Sequence, residues 1–192
     1  IDSRIGMVSG KILRQDKKTI DSTGLFLGRN RKAIERGYGQ KDAGQYDKPE
    51  YVFGASGACA FLRKSMLMDI KDSYGYFDER FGMYYEDLDL CWRADKKGWK
   101  THYNPKAIAY HVRGGTAIAK NRDCFGLQPR NDMFRGISDD LKKKYILNRY
   151  RCMIKNDSLK SVLLNLPFIL FYEIKIWCYL VTRLFFSNSD IK

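Results

Sequence analysis

An α/β fold followed by a helical C-terminal extension is predicted by three observations. Short apolar, strand-like runs at residues 5–13, 51–63, 99–103 and 107–112 bracket a helical pattern at 86–97, the signature of a sheet with helices packed on it. Beyond about residue 138 the pattern is helical almost throughout, which sets expected boundaries of 1–137 for the α/β part and 138–192 for the extension. The composition supports a folded chain: 192 residues with 44% hydrophobic, 30% charged and 14% aromatic content can build one real core and exclude a disordered or low-complexity polymer. Thirty-five Lys and Arg against 22 Asp and Glu give a net charge of +13, which favours anionic partners such as phosphates, nucleic acid or acidic lipid without choosing among them. Five scattered cysteines with no Cys-x-x-Cys pair exclude a zinc ribbon and point to a reducing compartment.

The elements follow in order. Residues 5–13 read as a strand and 19–27 hold a second short one. From 28 to 49 the chain is rich in Gly, Lys, Arg and Asp with little periodicity, so a long surface segment is expected. Gly37, Gly39 and Gly44 suggest a phosphate-cradling loop, but no strand immediately precedes them and no strong helix follows, so turn chemistry is the preferred reading. Residues 51–63 read as a buried strand interrupted by Gly54 and Gly57, glycines that let another group approach the backbone closely. Ser65 is the expected cap of a short helix through Ile70, and Gly75-Tyr76-Phe77-Asp78 closes it with a turn. The helix at 86–97 rests on Leu88, Cys91, Trp92 and Asp95 at helical spacing, with Gly98 at a left-handed C-cap. Two short strands, 99–103 and 107–112, are separated by Asn104-Pro105.

In the extension, Ile146, Leu147, Tyr150, Met153 and Ile154 form one apolar stripe, and Asn156-Asp157-Ser158 breaks the helix and caps the next. Residues 162–186 are mostly apolar, but Glu173, Lys175, Arg183 and Pro167 make a poor bilayer span, so an interfacial or re-entrant helix pair is expected. Seven basic residues between 141 and 160 (Lys142, Lys143, Lys144, Arg149, Arg151, Lys155 and Lys160) stand against Asp157 alone, a charge suited to an anionic membrane surface.

Chemistry concentrates between Gly75 and Arg93, where acidic residues lie among aromatics. Glu86 and Asp87 fall at a helix start, where orphan amides and the helix dipole keep a carboxylate ionised, as general base catalysis on a hydroxyl requires. The same placement also serves as ordinary capping. Tyr84 and Tyr85 offer flat rings beside those carboxylates for holding a sugar, and Trp92 reads as core. Asp87 and Asp89 have the spacing of an Asp-x-Asp metal motif, but on a helix they point roughly 200° apart and suit one ion poorly. His111, at a strand end before Arg113, is either structural or a metal or phosphate ligand; His102 reads as structural.

The ordered series Gly57-Ala58, Arg63, Gly75-x-Phe77-Asp78-Glu79, Glu86-Asp87-x-Asp89-Leu90, Arg93, Gly98, Tyr103, Pro105-x-Ala107 and His111 resembles the second half of family 2 glycosyltransferases, in particular the bacterial rhamnosyltransferase-like branch. The segment from Gly39 to Asp47 resembles the loop that precedes the Gly-Ala strand there, and Asn148-Arg149-Tyr150-Arg151 with the apolar tail resembles that branch's membrane-facing C-terminus. The resemblance implies a GT-A fold, Rossmann-like with a mixed sheet, and inverting transfer of a sugar, rhamnose among the candidates, from a nucleotide-diphosphate donor. It implies a saccharide or polyprenyl-linked acceptor in cell-surface polysaccharide synthesis, on the cytoplasmic face of a bacterial membrane. Asp87 maps onto the catalytic base and Glu86 onto its neighbour, while Gly57, Ala58, Asp78, Glu79, Tyr84, Tyr85, Arg93 and Arg113 become substrate-side candidates. His111 maps onto a metal or diphosphate contact, with Arg113 and Lys120 as further positive charge on the leaving-group side. The family's nucleotide-binding βαβ region and Asp-x-Asp motif have no counterpart here. The resemblance therefore implies an acceptor-side half, inactive alone, whose divalent ion (Mg or Mn) is held mainly by the missing half. Two rival classes are a basic module that binds nucleic acid or anionic membrane without chemistry, and a glycoside hydrolase with paired carboxylates. The first leaves the acidic cluster around Glu86 unexplained and makes nucleic acid a poor partner; the second needs a distant carboxylate facing Asp87.

Overall fold

In the computed structural model, which describes residues 2–112 and 138–186, β1 (Ile5–Arg14) is the strand on which the sheet is built. One edge of β1 pairs in parallel with β7 (Lys100–His111). The other edge is shared by β2 (Ile20–Ser22) and β6 (Ala60–Leu62), both antiparallel and at different ends. β5 (Glu50–Val52) adds antiparallel to the far side of β7. A separate hairpin joins β3 (Leu25–Leu27) to β4 (Ala33–Glu35). The helices are α1 (Lys64–Ile70), α2 (Glu86–Lys96), α3 (Asp139–Asn156) and α4 (Leu159–Phe186). This is the expected mixed α/β architecture, consistent with a GT-A fold, followed by a helical C-terminal part.

Several expectations are corrected. The two strands around Asn104-Pro105 are one strand: Gly10 pairs with Asn104 and Lys11 with Ile108, so residues 105–107 form a bulge. A proline, which has no N–H for the ladder, fits at that interruption. Gly10 admits the bulge, because a Cβ there would lie 2.4 Å from the Ala107 carbonyl oxygen. The buried strand expected at 51–63 is two short strands, with Tyr51 and Phe61 exposed. The surface segment 28–49 contains β4, while Gly37, Gly39 and Gly44 take φ of +75°, +74° and +80°, as turns require. Arg63, not Ser65, is the N-cap of α1, and it makes no side-chain capping bond.

α2 carries the core on two sides. Leu90, Cys91 and Ala94 pack with Met7, Leu25, Met66 and Ile70 against the sheet and α1. Leu88 and Trp92 pack with Phe81, Tyr85 and Cys152 toward α3. The helix ends as expected: Gly98 at φ +81° lets its N–H reach the Asp95 carbonyl while Trp99 N–H reaches that of Ala94. Close approach at Gly54 is also real, since a Cβ there would lie 2.4 Å from Cys91 Sγ.

The extension packs differently from the stripe the sequence suggests. α3 turns its polar side inward: Asn148, Arg149, Cys152 and Asn156 are buried, whereas Leu147 and Ile154 are 59% and 86% exposed. Charge explains this inversion. Lys155 Nζ lies 3.0 Å from Asp72, 3.2 Å from Asp78 and 3.0 Å from Asp89, and Asn156 donates to Asp89 at 2.7 Å. The Asp78 and Asp89 side chains have no exposure, so they demand these partners more than the aliphatic stripe demands burial. The expected helix pair is one continuous helix, α4, in which Pro167 is accommodated. Ile169, Tyr172 and Ile176 are its buried residues, and Glu173 pairs with Arg149.

Two consequences are measurable. Gly54→Ala drives a methyl group into Cys91 and is expected to cost about 1–3 kcal/mol in denaturant unfolding, part of it recovered when Cys91→Ala is added. The second concerns pH. The Arg80 guanidinium, and after it Lys155, hold the Asp78 carboxyl well below the usual carboxylate range. Burial would lower Lys155, but the carboxylates outweigh it and raise the ammonium above its ordinary value. The Asp78 contribution is therefore full above about pH 4 and lost as pH falls through the depressed value, while that of Lys155 is full below about pH 10 and lost above. These two groups leave the melting temperature unchanged between these limits and lower it outside them, and Asp78→Asn should flatten the acid limb. Lys155→Ala should cost about 3–5 kcal/mol at neutral pH, because it strands buried carboxylates.

Candidate active site

The first turn of α2 presents Glu86 and Asp87. Asp87 Oδ1 accepts the Leu88 N–H at 2.8 Å and Oδ2 accepts the Gly57 N–H at 3.0 Å, so both carboxylate oxygens are oriented by backbone. Gly57 permits this approach: a Cβ there would sit 3.3 Å from the Asp87 Cβ. The turn at Gly57, Ala58 and Cys59 is exposed, which puts Asp87 at an accessible lip. Glu86 differs. Its Oε2 is buried with no hydrogen-bond partner among the described residues, and burial, followed by the adjacent Asp87 charge, pushes its carboxyl upward.

The chain enters α2 through a corner in which Tyr84 and Tyr85 both take left-handed conformations, with φ of +71° and +72°. Non-glycine residues avoid this region, and such strain persists only where surroundings over-determine it. Tyr84 is half-buried and Tyr85 is buried edge-on to Tyr145 of α3, with ring centroids 5.1 Å apart. Tyr84 packs partly against the cluster around Phe81 and Leu88 and meets Tyr145 edge-on at 5.8 Å, whereas Tyr85 anchors the corner in the core.

Two further candidates belong to the fold. Asp78 is closed in by Arg80 and Lys155, and Arg93 donates to Asp89, to the Ile70 carbonyl and to the Tyr76 carbonyl. Their polar atoms are engaged in the buried network. Glu79 is exposed on the loop before the corner. Trp92 is core, as expected.

His111 closes β7, and its Nδ1 lies 2.9 Å from Oδ2 of Asp21, whose side chain is 1% exposed. With Nδ1–H donating to the carboxylate, the imidazole lone pair rests on Nε2, the arrangement of an oriented ligand histidine. Among the described residues, however, no three His, Cys, Asp or Glu side chains gather as a metal site. His111 and its neighbours thus do not by themselves fit a divalent ion. Arg113 and Lys120 lie outside the described residues.

Sequence reasoning missed the supports. Glu35 accepts from Ser56 Oγ at 2.9 Å and from Ser22, fixing the segment just before Gly57. On α3, Asn148 and Lys155 hold the loop and helix that carry the carboxylates. A polar residue in mid-helix was the available signal for Asn148. Its run with Arg149, Tyr150 and Arg151 faces the α/β part at Asn148 and Arg149 rather than a membrane.

No solved structure matches the chain. A segment of 56 residues, 29% of this chain, is 43% identical to N-acetylglucosaminyl-diphospho-decaprenol L-rhamnosyltransferase from two strains of Mycobacterium tuberculosis. That segment spans 17% of those relatives, so the chain matches only a small part of their length. The family model described as glycosyltransferase like family 2 matches residues 5–125, a stretch that contains Gly57, Glu86, Asp87 and His111, and the chain belongs to that family.

Proposed function

We propose that this chain supplies the acceptor side of an inverting glycosyl transfer, with Asp87 as the general base. The observation that carries this reading is the Asp87 carboxylate, oriented by the Gly57 and Leu88 amides at an exposed lip, while Glu86, half-buried like Asp87, has its Oε2 closed off with no partner among the described residues. A base on the acceptor must be held in place, and of the two carboxylates Asp87 is the one with both oxygens bonded to backbone amides. In the reaction, the acceptor hydroxyl oxygen bonds to the anomeric carbon of the donor sugar as its proton passes to Asp87. The bond from that carbon to the diphosphate oxygen breaks on the opposite face, and the nucleoside diphosphate leaves with the electron pair. Family members generally use a divalent metal for the leaving group. Among the described residues no three His, Cys, Asp or Glu side chains gather to hold such an ion. The name of the relatives supports a rhamnosyl donor and an acceptor built on a lipid-linked diphosphate.

A lipid-linked acceptor fits α4. Its segment Leu159–Val181 is long and apolar enough to cross a membrane by length and composition. Yet one face is bound to protein: Ile169, Tyr172 and Ile176 are buried, Arg29 bonds Asn165 and lies over Phe168, and Arg31 bonds Ser161. A helix fastened in this way supports a peripheral mode, with Leu163, Leu170, Phe171, Ile174 and Trp177 facing the bilayer surface. The electrostatic share is smaller than the sequence suggests. Lys142, Arg149, Arg151 and Lys155 are engaged with Asp139, Glu173, the Arg80 carbonyl and the buried aspartates, leaving Lys143, Lys144 and Lys160 exposed. At about 1 kcal/mol per basic residue near an anionic leaflet, apolar insertion dominates.

Asp87→Asn should lower kcat in the complete enzyme by roughly 10²- to 10⁴-fold with little change in donor affinity. The assay is nucleoside diphosphate release from UDP- and dTDP-sugars. Glu86→Gln should act mainly on stability or acceptor KM; near-normal turnover by Asp87→Asn would reject the assignment. For attachment, Phe171→Ser with Trp177→Ser should weaken flotation with anionic liposomes at least roughly tenfold. Raising salt should weaken flotation of the unaltered protein only modestly. Flotation unchanged by the double substitution would remove α4 as the anchor.

A further inference from the structure

We infer that Asn148, on α3 and outside the segment that matches the family, is the positioning residue that sets Asp87 in place by holding the left-handed corner ahead of α2. The inference rests on the reading of Asp87 as base, and its argument is geometric. α2 begins at Tyr85 with no side-chain capping bond, so the usual Ser, Thr or Asp device does not set the helix direction. The corner instead presents three carbonyl oxygens, of Phe81, Met83 and Tyr84, to Asn148 Nδ2 at 2.7, 2.9 and 2.9 Å. An amide has two N–H donors, and here they are shared among three acceptors. Its orientation is fixed from behind, because Arg151 donates to Asn148 Oδ1 and also to the Arg80 carbonyl. Asn148 is 2% exposed, so water offers no substitute donor.

Tyr145 stands three residues earlier on α3, and its ring meets those of Tyr84 and Tyr85 at 5.8 and 5.1 Å. α3 therefore grips the corner twice on one face, by an amide on the backbone and a ring on the side chains. What the corner fixes is the first turn of α2: the Asp89 N–H bonds the Tyr85 carbonyl at 2.8 Å, and Asp87 lies between the two. If Tyr84 and Tyr85 relax toward ordinary φ, the start of α2 reorients and Asp87 leaves the Gly57 amide. Losing one donor group on α3 would in this way misplace a carboxylate it never touches.

The test compares Asn148→Ala and the milder Asn148→Ser with Asn156→Ala, which removes a buried bond to Asp89 from the same helix. Amide hydrogen exchange at Gly57 and Leu88, the two donors to Asp87, is read on this chain. Asn148→Ala should lose protection there at least roughly tenfold beyond Asn156→Ala at equal global stability, with Asn148→Ser between. In the complete enzyme, kcat per folded molecule should fall by roughly 10²-fold with donor KM nearly constant, as misplacement of a reacting group by about 1 Å predicts. Equal protection at Gly57 and Leu88 in the Asn148 and Asn156 variants, with losses confined to melting temperature, would overturn the inference. If Asn148→Ala fails to fold, Asn148→Ser decides by the same two readings. Should Asp87→Asn remain active while protection is lost in Asn148→Ala, the base assignment fails and the positioning role stands.

Discussion

Asp89 carries a carboxylate into the interior from the first turn of α2, where its side chain has no exposure and is answered by Arg93, Lys155 and Asn156. A buried charge missing one partner is far more costly than an exposed one, so these partners cannot separate without a large penalty. One of them is on α2 itself and two are on α3. The sheet's principal helix and the first helix of the extension are thereby joined through charge as well as through the cluster around Trp92 and Cys152. Lys155 reaches on to Asp72 and Asp78, which ties in the loop between α1 and α2.

The site inherits its precision from this joint. Glu86 and Asp87 sit at the end of α2 that enters from the strained Tyr84-Tyr85 corner, and the helix cannot shift to relieve that strain while both its sides are occupied. From the other direction, Glu35 binds Ser56 and Ser22, so the Gly57 amide reaches Asp87 from a segment that is also pinned. The carboxylate is held between two supported backbones. α4 is linked to the same body through Arg149 and Glu173, so its exposed apolar face is mechanically continuous with the site.

The elements and the pair of carboxylates were legible in the sequence because both are local signals. Strand runs, the helix from Glu86, the glycine C-cap at Gly98 and the close approaches at Gly54 and Gly57 all follow from residue type and spacing. The errors came where long-range pairing outweighed local pattern. The apolar stripe of α3 predicted the wrong face, since no periodicity in α3 reveals the aspartates waiting at 72, 78 and 89. The partners of Asp78 and Arg93 were not legible either, because Lys155 and the Ile70 and Tyr76 carbonyls reach them from distant parts of the chain. Likewise the tail's positive charge read as a membrane patch, and four of its seven basic residues, Lys142, Arg149, Arg151 and Lys155, bond carboxylates or carbonyls of the chain itself. Pro105 suggested a strand break because a proline ends ladder bonding, whereas the sheet absorbed it in a bulge opposite Gly10.

α2 makes the sheet and α3 one cooperative unit, and two cysteines report on its two sides. Cys91 is buried between α2 and the sheet, Cys152 between α2 and α3, while Cys59 and Cys178 are exposed references. Burial pushes both buried thiols up, so they stay unreactive until their interfaces open. Pulsed thiol labelling across a denaturant series, read by mass at each cysteine, measures the opening of each interface. Cys91 and Cys152 are expected to become reactive over the same denaturant range; labelling of Cys152 at clearly lower denaturant, with Cys91 still protected, would show that the two interfaces open independently.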